Sequence, residues 1–565
     1  MYALDHKTYQ KIVENGPDNR PRHVQEDKHA YLVALLHGFD RAIEQDIISK
    51  HVLGRMLNVF LDNVVVKGQK NAAQSLGFVP PFFVLVSPTG KCNLRCIGCY
   101  AASDPGNHAS LDFETFDRIL REKRELWESH FTVISGGEPF LWRDGDYGLL
   151  DMVEKHSSDT FMVYTNATLI TDDVAKHMAE LGNISPAISV EGFEKETDAR
   201  RGKGTYQRIM SAFDCLRKHG VPFGVSATPN RHNWEIITSD RFADFYFLQE
   251  GAVYGWLFQY MPIGRGQSLD LMVPPQQRVE MLHRMRRLVK EKKVFLADFW
   301  NSGAASNGCI SAGRGGGYFY IDWNGNIAPC AFVPYATDNI YDIYRRGEIL
   351  NDALNSPLFR RIRAWQDQYG YAQPAELTQD WLCPCVIRDH VDILKDAVLE
   401  SGAQPINEEA AIALHDESYY EGMRHYGKEI ASLMDPIWNE RQEHDRERAE
   451  GDPYAGSPHV RSLPSEVLAG AGRHAKEISR AVMHATRGTT ASPPSTAGTV
   501  TDQLEKSGED ARHKTVDLTR RAIHSAADGA KELSTGAAVI AIGAISGMRR
   551  SAKGVPHKRK TECRS

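Results

Sequence analysis

Long hydrophobic runs are missing from this 565-residue chain. No stretch approaches the roughly 18–20 apolar residues that cross a bilayer, so a membrane-spanning protein is not expected. The opening MYALDHKTYQKIVENG has no apolar core of the kind a secretory signal carries, and a cytoplasmic protein is expected. A strong excess of one charge is also missing: the net charge is −6, which gives no reason to expect nucleic acid as a partner. Cysteine is scarce, with nine residues. In a cytoplasmic chain, clustered cysteines point to metal binding more than to disulfides. Hydrophobic residues at 42% and charged residues at 25% leave room for a sizeable core and for two to four domains.

Residues 27 to about 68 form a helical pattern with Leu32, Leu36, Phe39, Ile43 and Ile47 on one face, suited to packing over a main domain. From about residue 80 short apolar runs alternate with helical stretches. The runs FFVLVS, FTVIS, FMVYTN, PAISVE, PFGVSA and YGWLFQY each fit a buried strand. Segments 112–129, 171–181, 205–219 and 234–250 between them have helical texture. This repeat predicts a parallel α/β sheet, and about six strands are too few for a closed eight-stranded barrel. The stretch GGGYFYIDWNGNIAPC carries a hairpin signal at Asn324-Gly325. Residues 401–450 are charged and helical in pattern, and EGDPYAGSP and TRGTTASPPSTAGT are linker-like. Between and after them lie two alanine-rich stripes, one through Leu468, Ala475 and Val482 and one through Ile523, Ala530 and Ala537. From Arg549 the chain ends with seven Lys/Arg and one acid.

The cysteines fall into two groups. Cys92, Cys96 and Cys99 lie in KCNLRCIGCY, and Cys309, Cys330, Cys383 and Cys385 lie further on. A structural zinc site closes with four ligands, so three at this spacing fit poorly unless His108 is recruited. An iron–sulfur cube has four irons that each take a soft ligand, so three thiolates leave one corner open. Lys91, Asn93 and Arg95 within the loop argue against plain core cysteines. Cys215 on a helical stretch is expected in the core, and Cys563 in the basic tail as a free thiol.

This pattern resembles the radical S-adenosylmethionine (SAM) enzymes, whose C-x3-C-x2-C signature follows the first strand of a partial (β/α)6 barrel. The usual aromatic before the third cysteine is replaced by Gly98, with Tyr100 just after it. Gly136, Gly137, Glu138 and Pro139 in SGGEP resemble the family's motif for the SAM amino group, where glycines permit close backbone approach. Thr165 and Asn166 in YTNATLIT resemble its third-strand segment. Ser189, Glu191 and Arg201 in ISVEGFEKETDARRG resemble the fourth, with Ser226 on the following strand. By resemblance these residues contact SAM, Ser189 and Arg201 at its ribose and carboxylate. YMPIGRG resembles a recurring end of the barrel, and the resemblance covers roughly residues 80–400.

Cys309, Cys330, Cys383 and Cys385 resemble a SPASM or twitch extension. Four cysteines there imply at most one auxiliary [4Fe-4S] cluster, with an open iron if Cys385 is not a ligand. The implied architecture is an N-terminal helical segment 1–79, a core 80–275, an auxiliary region 276–400, a charged helical segment 401–450 and a tail 451–565. The resemblance further implies an enzyme that cleaves SAM reductively at a [4Fe-4S] cluster, with a ferredoxin or flavodoxin as reductant. The resulting 5′-deoxyadenosyl radical takes hydrogen from a peptide, protein or precursor metabolite. A second reading makes the substrate a lipid, because GAAVIAIGAI beside Arg549 and Arg550 has the composition of an interfacial segment. Helix pairing explains the same stripe. A third reading is a non-catalytic iron–sulfur electron carrier or zinc scaffold.

Overall fold

The computed structural model describes residues 20–451, apart from 57, 60–62 and 65–67, together with Tyr9 and Val13. The alanine-rich stripes, the basic end and Cys563 lie outside the described residues. Six parallel strands form where the apolar runs predict them: β1 (Phe83–Val86), β2 (Phe131–Ile134), β3 (Thr160–Thr165), β4 (Ile184–Val190), β5 (Gly224–Ala227) and β6 (Tyr254–Leu257). They pair in sequence order, with registers such as Leu85↔Val133 and Ser189↔Ser226. Their near-continuous hydrophobicity follows from burial on both faces. The crossovers include α1 (Phe113–Trp127), α2 (Leu149–Lys155), α3 (Asp172–Leu181), α4 (Glu194–Arg201) and α5 (Thr205–His219). Asp112 accepts from the Thr115 N–H and Thr171 from the Val174 N–H, which fixes where α1 and α3 begin. Cys215 is buried on α5.

The sheet extends beyond six strands. β7 (Leu296–Asp298) adds parallel to β6, and β8 (Tyr318–Ile321) adds parallel to β1 on the opposite side. Both come from the region expected to form the auxiliary unit, so that unit continues the barrel sheet. Around Asn324-Gly325, β8 turns back into β9 (Asn326–Ala328), the hairpin expected there. Eight parallel strands thus run from β8 through β1–β6 to β7, and no pairing between β7 and β8 occurs among the described residues.

The N-terminal helix packs beside the β7 end of the sheet, with Tyr31 against Phe295. This helix, αN (Arg22–Glu44), breaks at Gln45–Ser49, where Asp46 takes a left-handed φ of 55°, before a short second helix Lys50–Met56. Of the expected stripe, Leu32, Leu36, Phe39 and Ile47 are buried. Tyr31 reaches the Ser302 hydroxyl at 2.6 Å, in the loop that follows β7. The charged segment forms the long helix αC (Glu417–Gly451), which fastens to αN through Arg441 on Asp27 at 2.7 and 2.9 Å and Asp445 on His23. No helix among the described residues is long and apolar enough to cross a membrane.

One carboxyl on αN works against the fold. Burial, with the neighbouring Glu44 carboxylate, pushes Asp40 up to about 7. An acid held protonated by the fold adds stability below its ordinary pKa, and that contribution is lost as pH rises from about 4 toward 7. Asp40→Asn is therefore expected to gain on the order of 2–4 kcal/mol over the parent at pH 8 and little at pH 4. Thermal unfolding at the two pH values checks this, and equal gains at both would refute it.

Candidate active site

The C-terminal ends of the strands carry the predicted motifs to one place, as parallel α/β architecture favours. The cysteine loop leaves β1 and is held by two arginines. Arg200 at the end of α4 donates to the Ile97 and Gly98 carbonyls at 3.1 and 3.2 Å. Arg265 of YMPIGRG donates through its side chain to the Cys96 carbonyl at 3.2 Å and through its backbone N–H to the Cys99 carbonyl at 3.0 Å. The Leu94 N–H points at the Cys92 sulfur at 3.4 Å. Gly98 has φ 64°, and a Cβ there would meet the Tyr260 ring at 2.5 Å. An aromatic just before the third cysteine is thus excluded, and the Tyr260 ring occupies that space.

Cys92, Cys96 and Cys99 line one wall of a cavity of about 270 Å³. Gly136, Gly137, Thr165, Asn166, Ser189, Ser226, Arg200 and Arg201 share that wall. Gly137 is confined by its neighbours: a Cβ would lie 2.1 Å from the Lys91 carbonyl oxygen. Gly137→Ala is therefore expected to push SGGEP off the cysteine loop and to weaken SAM binding at least tenfold. Equilibrium dialysis with labelled SAM measures this, and unchanged affinity would count against the packing argument.

Glu138 and Pro139 do not line the cavity. The Glu138 carboxylate is buried and accepts from Thr165 Oγ1 at 2.7 Å and from the Asn166 and Phe140 N–H groups at 2.8 and 3.2 Å. Burial pushes it up to about 7 against those bonds. Its observed work is to tie β2 to β3. Glu191 also stands behind the wall, where Oε1 takes Arg200 at 2.5 Å and Arg201 at 2.5 and 2.9 Å. Both candidates thus meet protein groups in place of cavity space. Sequence reasoning named Arg201 and missed Arg200, although the adjacent pair in DARRG was the available signal.

The same cavity is also lined by Cys309, Cys330 and Cys385. Cys330 Sγ lies 2.9 Å from the Tyr318 hydroxyl, and burial pushes its thiol up to about 12. Cys383 is buried but does not line the cavity, and the charges around it are Arg278, Asp389, Asp380 and Asp435. Cys385, by contrast, feels Cys309 and Cys330. Three of the four expected thiols therefore line the cavity, and Cys383 does not. Sequence spacing could not separate the two cysteines of WLCPCV.

The donor set fits an iron–sulfur cube at the first group. Three soft sulfurs line one space, an N–H points at one of them, and the Arg201 guanidinium, held by Glu191, lies near Cys96 and Cys99. Burial pushes the Cys92 thiol up to about 12, so the thiolate form needs a bound cation. Among the described residues no three His, Cys, Asp or Glu groups converge tightly enough for a single metal ion. Asp298 at the end of β7 and Gln259 after β6, which sequence reasoning also missed, meet at 2.7 Å on the cavity lining.

Comparison with known proteins agrees with this geometry. Residues 86–238 match the Radical SAM superfamily. The chain is 26% identical over 313 residues to the AdoMet-dependent heme synthase of Methanosarcina barkeri, spanning 50% of this chain and 84% of that protein. It is 25% identical over 317 residues to the serine-type anaerobic sulfatase-maturating enzyme of Bacteroides thetaiotaomicron, spanning 47% of this chain and 73% of that protein. Among solved structures, Streptococcus suis SuiB covers 52% of this chain and 71% of its own, with 17% identity and a TM-score of 0.43. The matched segment runs from the end of β1 past β5 and contains the cysteine loop, SGGEP and the α4 arginines, so residues 86–238 form a radical SAM domain, of a superfamily whose members use a [4Fe-4S] cluster and S-adenosylmethionine.

Proposed function

We propose that Cys92, Cys96 and Cys99 hold the [4Fe-4S] cluster and that SAM lies between that loop and the ends of β2–β5. The observation that carries this is a single wall shared by three thiols, the Gly136-Gly137 backbone and Arg200–Arg201. A reduced cluster with SAM held there would supply radical chemistry for taking a hydrogen atom from a substrate carbon. The protein's part is positional. Glu191 holds the two arginines, Arg265 and Arg200 hold the loop, and aromatic walls keep water away from the reacting carbon.

Cys309, Cys330 and Cys385 fit one auxiliary cluster at the same cavity, leaving Cys383 outside it. The substrate, a peptide, protein or precursor metabolite, then lies between the two thiol groups. Relatives named for a heme synthase and a sulfatase-maturating enzyme support that range. A ferredoxin or flavodoxin is the expected reductant.

The test is anaerobic reconstitution of the full chain with iron and sulfide, followed by SAM and dithionite. Formation of 5′-deoxyadenosine is expected, and its absence from protein that holds iron would overturn the proposal.

A further inference from the structure

The cavity continues below the SAM wall into the barrel. A parallel barrel ordinarily fills its interior with its own side chains. Here inward residues of several strands, including Leu85, Val133, Met162, Trp256, Phe295 and Ala297, border open space instead. On strands rising about 3.3 Å per residue, this lining extends over roughly 10 Å of depth. The polar groups gather at the cysteine end and the body is aromatic and aliphatic.

Charge on the lining is confined to Arg200, Arg201 and Asp298. The arginines are engaged by Glu191. Asp298 accepts from Gln259 Nε2 at 2.7 Å, from the Trp300 N–H at 3.0 Å and from the Asn301 N–H at 3.2 Å. Among the described residues, no cation on the lining is left without a carboxylate partner to meet a substrate carboxylate or phosphate, which a charged ring system would require. A peptide would bring one N–H and one C=O per residue against a lining whose exposed surface is mainly apolar. Some partners do remain. The ring N–H groups of Trp256 and Trp300 and the Oε1 of Gln259 are buried on lining residues and find no partner among the described residues. Buried donors and an acceptor left unmade are costly; each is sealed by its neighbours, and a bound oxygen function would satisfy them after a small rotation of the indole or amide side chain.

We propose that the substrate is lipid-like, with a hydrocarbon body in the barrel lumen and an uncharged oxygen function, a hydroxyl, ether or ester, among Trp256, Trp300 and Gln259. This rests on the assignment of SAM to the cysteine wall, and it narrows the precursor metabolite to an apolar molecule.

Two measurements on the reconstituted full chain test it. In the first, a fluorescent polyene fatty alcohol is titrated into the protein. Saturable binding is expected, weakened about five- to tenfold by Trp256→Phe or Trp300→Phe. Binding of the matched polyene hydrocarbon without oxygen should be unchanged by either variant. Absence of saturable binding would overturn the proposal, and so would equal loss for both probes.

In the second, deuterated cell extract is split into organic and aqueous fractions and supplied with SAM and reductant. Deuterium in 5′-deoxyadenosine is expected from the organic fraction, and transfer from the aqueous fraction alone would overturn the lipid class. If no nucleoside forms from either fraction, the radical chemistry falls, and the binding arm still decides the substrate class.

Discussion

Cys96→Ala is expected to leave the fold in place and to abolish 5′-deoxyadenosine formation. Cys96 is only partly buried, and its carbonyl, which Arg265 holds, survives the substitution. The loop should therefore keep its shape while losing one of three sulfurs. A cube held by two thiolates has no stable three-point seat, so activity should fall by at least three orders of magnitude. Iron content should drop by roughly four atoms per chain if the second group is loaded independently. Circular dichroism, iron analysis and nucleoside quantitation together decide. Normal nucleoside formation by the variant would refute the assignment of the loop.

The second large effect is expected from Arg278→Ala. Arg278 lies on the helix Pro275–Lys290 and is fully buried. Its guanidinium meets Asp389 at 2.5 and 3.4 Å, Asn301 at 3.0 Å and the Leu382 carbonyl at 2.9 Å. Asp389 in turn accepts from the Cys385 N–H at 3.0 Å. Removing the arginine leaves a carboxylate buried without its cation, which typically costs about 3–5 kcal/mol. The damage should spread to the Cys385 loop, so roughly half the iron should be lost while nucleoside formation persists. Adding Asp389→Asn should recover part of the stability, because a neutral amide is cheaper to bury. Denaturant titration and iron analysis of the single and double variants test this. An unchanged unfolding midpoint in Arg278→Ala would refute it.

Contiguous motifs made much of the site legible in the sequence. The cysteine loop, SGGEP and ISVEGF each place their residues within a few positions, and the strand order carries them to one rim. The roles of Glu138 and Glu191 were not legible, because a carboxylate beside a glycine has the same spelling whether it meets a ligand or a neighbouring strand. Asp298, Gln259, Trp256 and Trp300 come from separate strand ends and converge only through sheet pairing. β7 escaped notice because its three residues, LAD, carry no periodic signal. β8 was visible as one arm of a hairpin, yet its pairing with β1 joins distant parts of the chain, which local pattern does not report.

That last pairing has a consequence for how the protein is made. β1 needs β2 on one edge and β8 on the other. At about 5–20 residues per second, the ribosome delivers β8 on the order of 10–50 s after β1. For that interval a four-residue apolar strand presents an unpaired edge, the kind of template that recruits other chains. Nascent chains should therefore depend on a chaperone more than their final compactness implies, and slow translation before residue 318 should lower the soluble yield.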